Sequence, residues 1–201
     1  MPSREPASFR PGFGRGLTRV IAVIATVTAV ISLFSSGLEA VVLVWPWMGL
    51  LVGSCWMVFW HPQVRVDDHG VTLVNVWHRI DVPWGALIGI ETKWALTLVT
   101  RQRRYRAWAA PAPGRSVMRS EHPNTHRLRD AAIGGEIRPG DLPDVDSGAA
   151  ANLVRERWTT VRESGALDDF LPVNDSVTWS IHWRLIAAGA VLIALAVAGL
   201  A

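Results

Sequence analysis

Few residues in the sequence have the type and spacing that catalysis or metal binding requires. Glu121, His122 and His126 have a spacing used by some metal sites, but no further ligands cluster near them and their Pro-Asn setting predicts a loop. Residues 12–16 superficially resemble a dinucleotide-binding loop, yet no strand precedes them and an apolar run follows. The sequence contains no nucleophile elbow, zinc-protease motif or P-loop. We therefore expect a protein that is not an enzyme and has no metal or cofactor.

A cluster of arginines is the one feature that suggests binding. Arg101, Arg103 and Arg104 surround a predicted hairpin tip, and Arg106 lies on the strand that follows. Guanidinium groups pair well with phosphate, so the cluster could contact anionic lipid headgroups or an anionic partner. The alternative is a solvated turn, because all but one of the chain's basic residues are arginine.

The charge distribution excludes a generally basic, nucleic-acid-binding domain. Residues 61–182 carry fifteen basic and fifteen acidic residues, whereas affinity for nucleic acid needs a concentrated basic face. The charge is uneven within this segment. Residues 61–120 have nine basic and four acidic residues, and residues 121–182 have six basic and eleven acidic residues.

Hydrophobic periodicity predicts the elements that position these residues. Alternation over residues 63–110, broken by closely spaced turn signals, predicts six short strands. Their connections are too short for helices, so the sheet must be antiparallel. Residues 113–147 read as a Pro/Gly-rich linker, and residues 148–166 as an amphipathic closing helix anchored by Trp158. Together they predict a small α+β fold.

The segment Asp81-Val82-Pro83-Trp84 is either a site for chemistry or a structural corner. Proline cannot donate to a sheet ladder and suits a strand end where the chain turns. Trp84 would then bury a large apolar surface under that turn. We expect a structural corner formed by Pro83 and Trp84. A buried Trp84 would support this interpretation, whereas a Trp84 lining an open polar cleft would favour a site.

Three apolar runs predict transmembrane helices. Residues 20–36 and 40–60 are uncharged, and the second run would be ~31 Å long as a helix, enough to cross the hydrocarbon core. They would form a helical hairpin. Residues 183–201 form the third run, which follows a connector over residues 167–182. These runs predict a multi-pass protein of the cell membrane.

The arginine distribution predicts the orientation of these spans. Residues 1–19, expected to be a flexible tail, carry four arginines, whereas the turn between the first two spans carries only Glu39. The N-terminus and residues 61–182 should therefore be cytoplasmic, and the C-terminus outside. The tryptophans that end the second span and begin the third predict an aromatic belt at one interface: Trp56, Trp60, Trp179 and Trp183.

The run VRVDDHGVTLVNVWHRIDVPWGALIGIE, with the later LTLVTRQRRYRAWAAPAP, resembles the small bacterial PH domain of actinobacterial membrane proteins. In that family an Ile/Val-Pro-Trp corner, here Val82-Pro83-Trp84, precedes an apolar strand, a short hairpin and an alanine/proline exit. GGEIRPGDLPDVDSGAAANLVRERW is similar to the family's linker and Trp-containing helix. The resemblance implies a partial PH-like barrel between membrane helices, and phosphoinositides or proteins as ligands of some relatives. A seventh strand is matched only weakly, by residues 133–138.

These observations predict a non-enzymatic membrane protein whose cytoplasmic PH-like domain, with its strands in residues 61–112, contacts a protein or anionic lipid at the inner leaflet. The alternative is a structural subunit of a larger membrane complex, in which the transmembrane helices form the main interface or an oligomer. Ala190, Ala194 and Ala198 share one face of the third helix and would allow close packing against the hairpin or another copy.

Overall fold

The computed structural model describes four stretches of the chain, and they belong to two compact units. The stretches are residues 5–112, 141–142, 145–165 and 176–198. The β unit comprises the described parts of Met1–Arg10 and Gln63–Ser180, and the helical unit those of Pro11–Pro62 and Ile181–Ala201.

The described residues form eight strands and three α-helices. The strands are β1 (Ala7–Phe9), β2 (Gln63–Val66), β3 (Gly70–Val74), β4 (His78–Pro83), β5 (Leu87–Glu91), β6 (Ala95–Thr100), β7 (Arg104–Pro111) and β8 (Thr178–Ile181). The helices are α1 (Gly12–Cys55), which continues as a π-helical turn (Trp56–Trp60), α2 (Asp146–Glu163) and α3 (Trp183–Ala198). A short 3-10 turn (Trp84–Ala86) connects β4 to β5.

The strands form two sheets rather than one. Sheet A has the order β1-β2-β3-β4-β8, and sheet B has the order β5-β6-β7. The paired strands from β1 to β4 and from β5 to β7 run antiparallel. The chain passes from one sheet to the other at the corner that follows Pro83, and β7 also contacts β2 and β3.

The core of the β unit lies among both sheets and α2, because each contributes its apolar face. Val64 and Val66 of β2 are buried while Arg65 between them is exposed, as a strand with one covered face requires. From α2, Val154 is buried, and Leu153, Trp158 and Val161 pack against the core. The expected α+β class with antiparallel sheets and a C-terminal helix is confirmed.

The N-terminal segment differs from the flexible tail expected over residues 1–19. Ala7 pairs with Val66 and Phe9 with Val64, so β1 adds an edge strand to sheet A. Phe9 packs against the core, and the Arg10 Nε donates a hydrogen bond to Gln63 Oε1 at 2.7 Å. Three residues are too few to show a period, so only the pairing partner reveals this strand. The tail expectation is therefore corrected from Ala7 onward.

Two further expectations concern the edges of the domain. The predicted connector over residues 167–182 contains β8, which lies beside β4 in sheet A. The weak candidate for a seventh strand, residues 133–138, lies outside the described residues, as does most of the linker expected over residues 113–147.

The helical unit contains two segments long and apolar enough to cross a membrane, Gly12–Ser35 and Val42–Trp60. We call them the first and second apolar helices. They are separated at Gly37, whose φ of 65° and ψ of −150° interrupt the helix in a conformation that glycine adopts readily. The first begins eight positions before the span expected at residue 20. The third expected span corresponds to α3, whose 16 residues are fewer than a typical span, so it stays a prediction.

Candidate functional site

The corner at Pro83 and Trp84 is joined by hydrogen bonds to the turn between β2 and β3. Trp84 is 1% exposed, and its indole Nε1 donates a hydrogen bond to the Asp67 carbonyl at 3.1 Å. The Trp84 backbone N–H donates to the His69 carbonyl at 3.2 Å. In turn, the Asp67 carboxylate accepts the N–H groups of His69 and Gly70 at 2.9 and 3.0 Å. The buried Trp84 therefore holds the 67–70 turn in place through these hydrogen bonds. It does not line an open cleft.

A cavity of about 270 Å³ lies beside this corner. Its lining comes from the β2–β3 turn, strands β3 and β4, and the start of β8: Asp67, His69, Gly70, Val71, Thr72, Arg79, Asp81, Val82, Pro83, Ser176 and Thr178. Arg79 contacts Asp81 through Nε at 2.9 Å and Nη2 at 2.7 Å, and Thr72 donates its hydroxyl to the same carboxylate. The charges of Arg79 and Asp81 are thus paired inside the cavity.

The electrostatics of this pair argue against a catalytic base. Burial opposes the ionisation of Asp81, but hydrogen bonds from Arg79, Thr72 and Thr178 outweigh it and hold the pKa of Asp81 below its ordinary value. The hydrogen bond with Asp81 also raises the pKa of Arg79. A general base needs a pKa near the working pH, whereas Asp81 is ionised and paired at neutral pH.

The predicted arginine tip lies between β6 and β7. Thr100 closes this turn, since its backbone N–H and its hydroxyl both donate to the Arg103 carbonyl, at 3.0 and 2.9 Å. Arg101 and Arg103 project from the turn, and Arg104 and Arg106 lie on β7. All four arginines are exposed, so the structure brings the predicted contact residues together at one end of sheet B.

The exposed face of β7 extends this cluster with a tryptophan. Arg104, Arg106 and Trp108 are exposed, whereas Ala107 and Ala109 are buried, so the three exposed residues share the outer face of the strand. Trp108 is 57% exposed. We call Arg101, Arg103, Arg104, Arg106 and Trp108 the basic face. The sequence prediction stopped at Arg106, although the same alternation continues to Trp108.

A buried asparagine that the sequence prediction missed positions the basic face. Asn75 follows β3, and its Nδ2 donates to the Arg106 carbonyl at 3.1 Å. Its Oδ1 accepts the Trp108 backbone N–H at 2.8 Å. The Asn75 amide therefore fastens the middle of β7 to the end of β3. In the sequence this residue reads as an ordinary turn residue, because its partners are more than thirty positions away.

The closing helix α2 is held by packing and by two ion pairs. Trp158 is half-buried against the core. Arg157 contacts Asp68 of the β2–β3 turn at 2.7 Å, and Arg155 contacts Asp141 at 2.6 Å. These contacts give Trp158 and its helix a structural role in the β unit.

The described geometry groups four exposed arginines and an exposed tryptophan on sheet B. Glu121, His122 and His126 lie outside the described residues, and the part of the chain that is described contains no group of three His, Cys, Asp or Glu side chains that could hold a metal ion. Comparisons with protein families, with curated proteins and with solved structures find no match for this chain.

Proposed function

We propose that this chain is a non-enzymatic, multi-pass protein of the cell membrane that displays its β unit as a PH-like interaction module at the inner leaflet. The observation that carries the proposal is the basic face, on which four exposed arginines stand beside an exposed tryptophan. Two helices of sufficient length and apolarity to cross a membrane support the anchoring. The N-terminus and the β unit are cytoplasmic in this proposal, and the C-terminus is outside.

The chemistry of the basic face suits an anionic partner. Arginine presents a planar fork of donors that pairs with phosphate or carboxylate through two hydrogen bonds. The carboxylate of Glu91 lies 3.5 Å from the Arg104 Nη1, but the arginine side chain is 68% and the glutamate side chain 37% exposed, and a pair so open to solvent contributes little. An incoming anion can therefore displace Glu91 easily.

Anionic lipid is the ligand that this surface favours over an acidic protein segment. Trp108 lies on the same strand face as Arg104 and Arg106, and tryptophan beside arginine is the combination that settles among headgroups. An acidic protein would use the arginines equally well but would have less need of an exposed indole. A protein partner remains the other outcome of the test below.

The test compares two variants that lose the same charge. The full-length protein in uncharged nanodiscs is mixed with vesicles that contain or lack phosphatidylglycerol, and binding is measured by flotation. The isolated segment 61–180 is unsuitable because it lacks β1. We expect Arg103→Gln/Arg106→Gln to bind about 30-fold more weakly to the anionic vesicles, since each basic residue near an anionic surface contributes about 1 kcal/mol.

The control is Arg65→Gln/Arg162→Gln, which removes two exposed arginines outside the basic face. It should bind as the wild type does. Equal binding by the wild type and the basic-face variant would reject lipid recognition there. Capture of a protein partner that the basic-face variant alone loses would instead assign the surface to that protein.

A second candidate function is that of an assembly subunit whose apolar helices form the main interface. Ala190, Ala194 and Ala198 are exposed on α3, whereas Leu192 lies next to Gly49 of the second apolar helix. The alanine face is thus not the one that packs within the chain. A partner retained by the basic-face variant in detergent extracts but lost from Ala190→Leu/Ala194→Leu would favour this role.

A further inference from the structure

Close packing of the two apolar helices fixes the position of two arginines in the helical unit. Gly14 lies so near the second apolar helix that a Cβ there would be 3.0 Å from the Phe59 Cβ. Thr18, one turn later, is buried and its hydroxyl donates to the Gly14 carbonyl at 2.9 Å. Small residues four positions apart allow such an approach. Arg15 and Arg19 directly follow these two positions.

Arg15 and Arg19 share one aromatic ring. The Arg15 Cζ lies 4.6 Å from the centroid of the Trp60 ring, and the Arg19 Cζ lies 5.2 Å from it. Residues four positions apart are neighbours on a helix surface, so both guanidinium groups reach the same indole. The ring holds two like charges close together, and this arrangement attracts an anion between or above them.

The helical unit supplies no counter-ion for these arginines within its described residues. The sequence of the unit has one acidic residue, Glu39, which lies in the turn between the two apolar helices and so at the far end of the first from Arg15. The Arg15 Nε is buried and has no hydrogen-bond partner among the described residues. A buried donor without a partner is costly, so a ligand that accepts its hydrogen bond would be favoured.

Aromatic groups mark this end of the helical unit as the depth of lipid headgroups. The His61 ring lies 5.1 Å from the Trp56 ring and 5.0 Å from the His182 ring, between centroids. The end of the second apolar helix and the start of α3 therefore meet here, together with Trp60 and Trp183. Tryptophans concentrate where a membrane protein meets the headgroup region.

We propose that Arg15 and Arg19, held over Trp60, bind the phosphate group of an anionic phospholipid. A lipid is favoured over free phosphate because the same helix surface continues as an apolar row. Val23 and Val27 follow Arg19 at four-residue spacing and are 62% and 51% exposed, so they offer an acyl chain a place to lie. One phospholipid would thus contact the arginines through its phosphate and the valines through an acyl chain.

This site is separate from the basic face, because it belongs to the helical unit and uses none of the same residues. Its phosphodiester carries one negative charge, which would offset part of the positive charge of the two arginines where the apolar helices pack together. The lipid therefore acts as a structural ligand of the helical unit, whether or not the β unit also recognises lipid.

The test measures which lipids the full-length protein retains. The protein is reconstituted with equal amounts of phosphatidylglycerol and phosphatidylcholine, extracted in mild detergent, and its bound lipids are quantified by native mass spectrometry. We expect the wild type to retain phosphatidylglycerol preferentially. Removing two basic residues near the phosphate should reduce this preference about 30-fold in Arg15→Gln/Arg19→Gln.

Two further variants separate the site from general charge effects and from misfolding. Arg65→Gln/Arg162→Gln loses the same charge from exposed positions outside both surfaces and should retain lipid as the wild type does. Arg15→Lys/Arg19→Lys keeps the charge but loses the planar fork, so it should restore part of the preference while its helix content matches the wild type. Unchanged preference in Arg15→Gln/Arg19→Gln, or an equal loss in Arg65→Gln/Arg162→Gln, would overturn the proposal.

A final arm distinguishes the source of the phosphate. Inorganic phosphate is added to delipidated protein at the concentration at which phosphatidylglycerol raises the thermal midpoint. We expect no rise with inorganic phosphate and a rise with the lipid. An equal rise with both would show that the site takes a free anion, and would overturn the assignment to a lipid.

Discussion

Replacing Trp84 with phenylalanine isolates what the indole N–H contributes to the corner. Phenylalanine keeps most of the buried ring but cannot donate to the Asp67 carbonyl. Leaving that carbonyl without its donor costs about 1–3 kcal/mol, and the smaller ring leaves a void that adds to this. The change is a large fraction of the 5–15 kcal/mol that stabilises a typical domain, but is smaller than the ~3–5 kcal/mol expected for Trp84→Ala.

Hydrogen exchange of the full-length protein in nanodiscs measures this loss of stability at individual amides of the turn. The amides of His69 and Gly70 donate to Asp67, and that of Trp84 donates to the His69 carbonyl, so all three should exchange faster when the turn loses its anchor. A loss of about 2 kcal/mol corresponds to an acceleration of about 30-fold. Mass spectrometry of peptides that cover residues 67–70 and 84–86 would measure it.

The control is Trp77→Phe. Trp77 lies in the connection before β4, the strand that precedes Trp84, but it is 58% exposed. It should leave the exchange of the 67–70 turn unchanged. If Trp84→Phe also leaves that turn unchanged, or if both variants accelerate it equally, then the turn does not depend on the indole hydrogen bond and our account of the corner is refuted.

Three further predictions concern the β unit. Gly70→Ala should lower the thermal midpoint of the full-length protein and destabilise it by about 1–3 kcal/mol, since its Cβ would overlap the backbone of β4. Gly89→Ala should have little effect, because its Cβ would meet the Val99 Cβ at an ordinary contact distance of 4.0 Å. Asn75→Ala should accelerate exchange of the Trp108 amide at least tenfold, because that amide loses its acceptor; unchanged exchange would contradict the positioning role of Asn75. Because the pKa of Asp81 is lowered in the folded protein, its contribution to stability is present well above pH 3.8 and is lost as the pH falls through the folded-state pKa. Asp81→Asn should therefore lower the thermal midpoint at pH 7, by an amount equivalent to about 0.5 kcal/mol for this partly exposed pair, and the difference from the wild type should shrink at pH 3.

Most of the β unit could be predicted because its signals are local. Alternation over residues 63–110 indicated the strands β2 to β7, although all five residues of β3 are buried, and the proline at the end of β4 marked the corner. The edge strands β1 and β8 could not be predicted, since three or four residues carry no usable period and are strands only because a partner edge is available. The division into two sheets was also missed, because it depends on the direction that the chain takes after the 84–86 turn.

The arginines of the candidate surface could be predicted from the sequence, but the residues that surround and position them could not. The arginines of the tip are adjacent in sequence, so their grouping needed only a hairpin. Their neighbours Trp108 and Asn75 depend on the face of β7 and on hydrogen bonds over more than thirty positions. In the helical unit, Arg15 and Arg19 were counted only as orienting charges, because their meeting with Trp60 requires the two apolar helices to pack together.

The positive character of the basic face follows from where the neighbouring acids are engaged. Residues 61–120 contain four acidic residues. Asp67 accepts backbone N–H groups in its own turn, Asp68 pairs with α2, and Asp81 pairs within β4. Glu91 approaches Arg104 of the basic face, at 3.5 Å and with 37% of its side chain exposed. Because three of the four acids lie in the turns and strands of sheet A, the excess of positive charge among the described residues of this segment lies on sheet B.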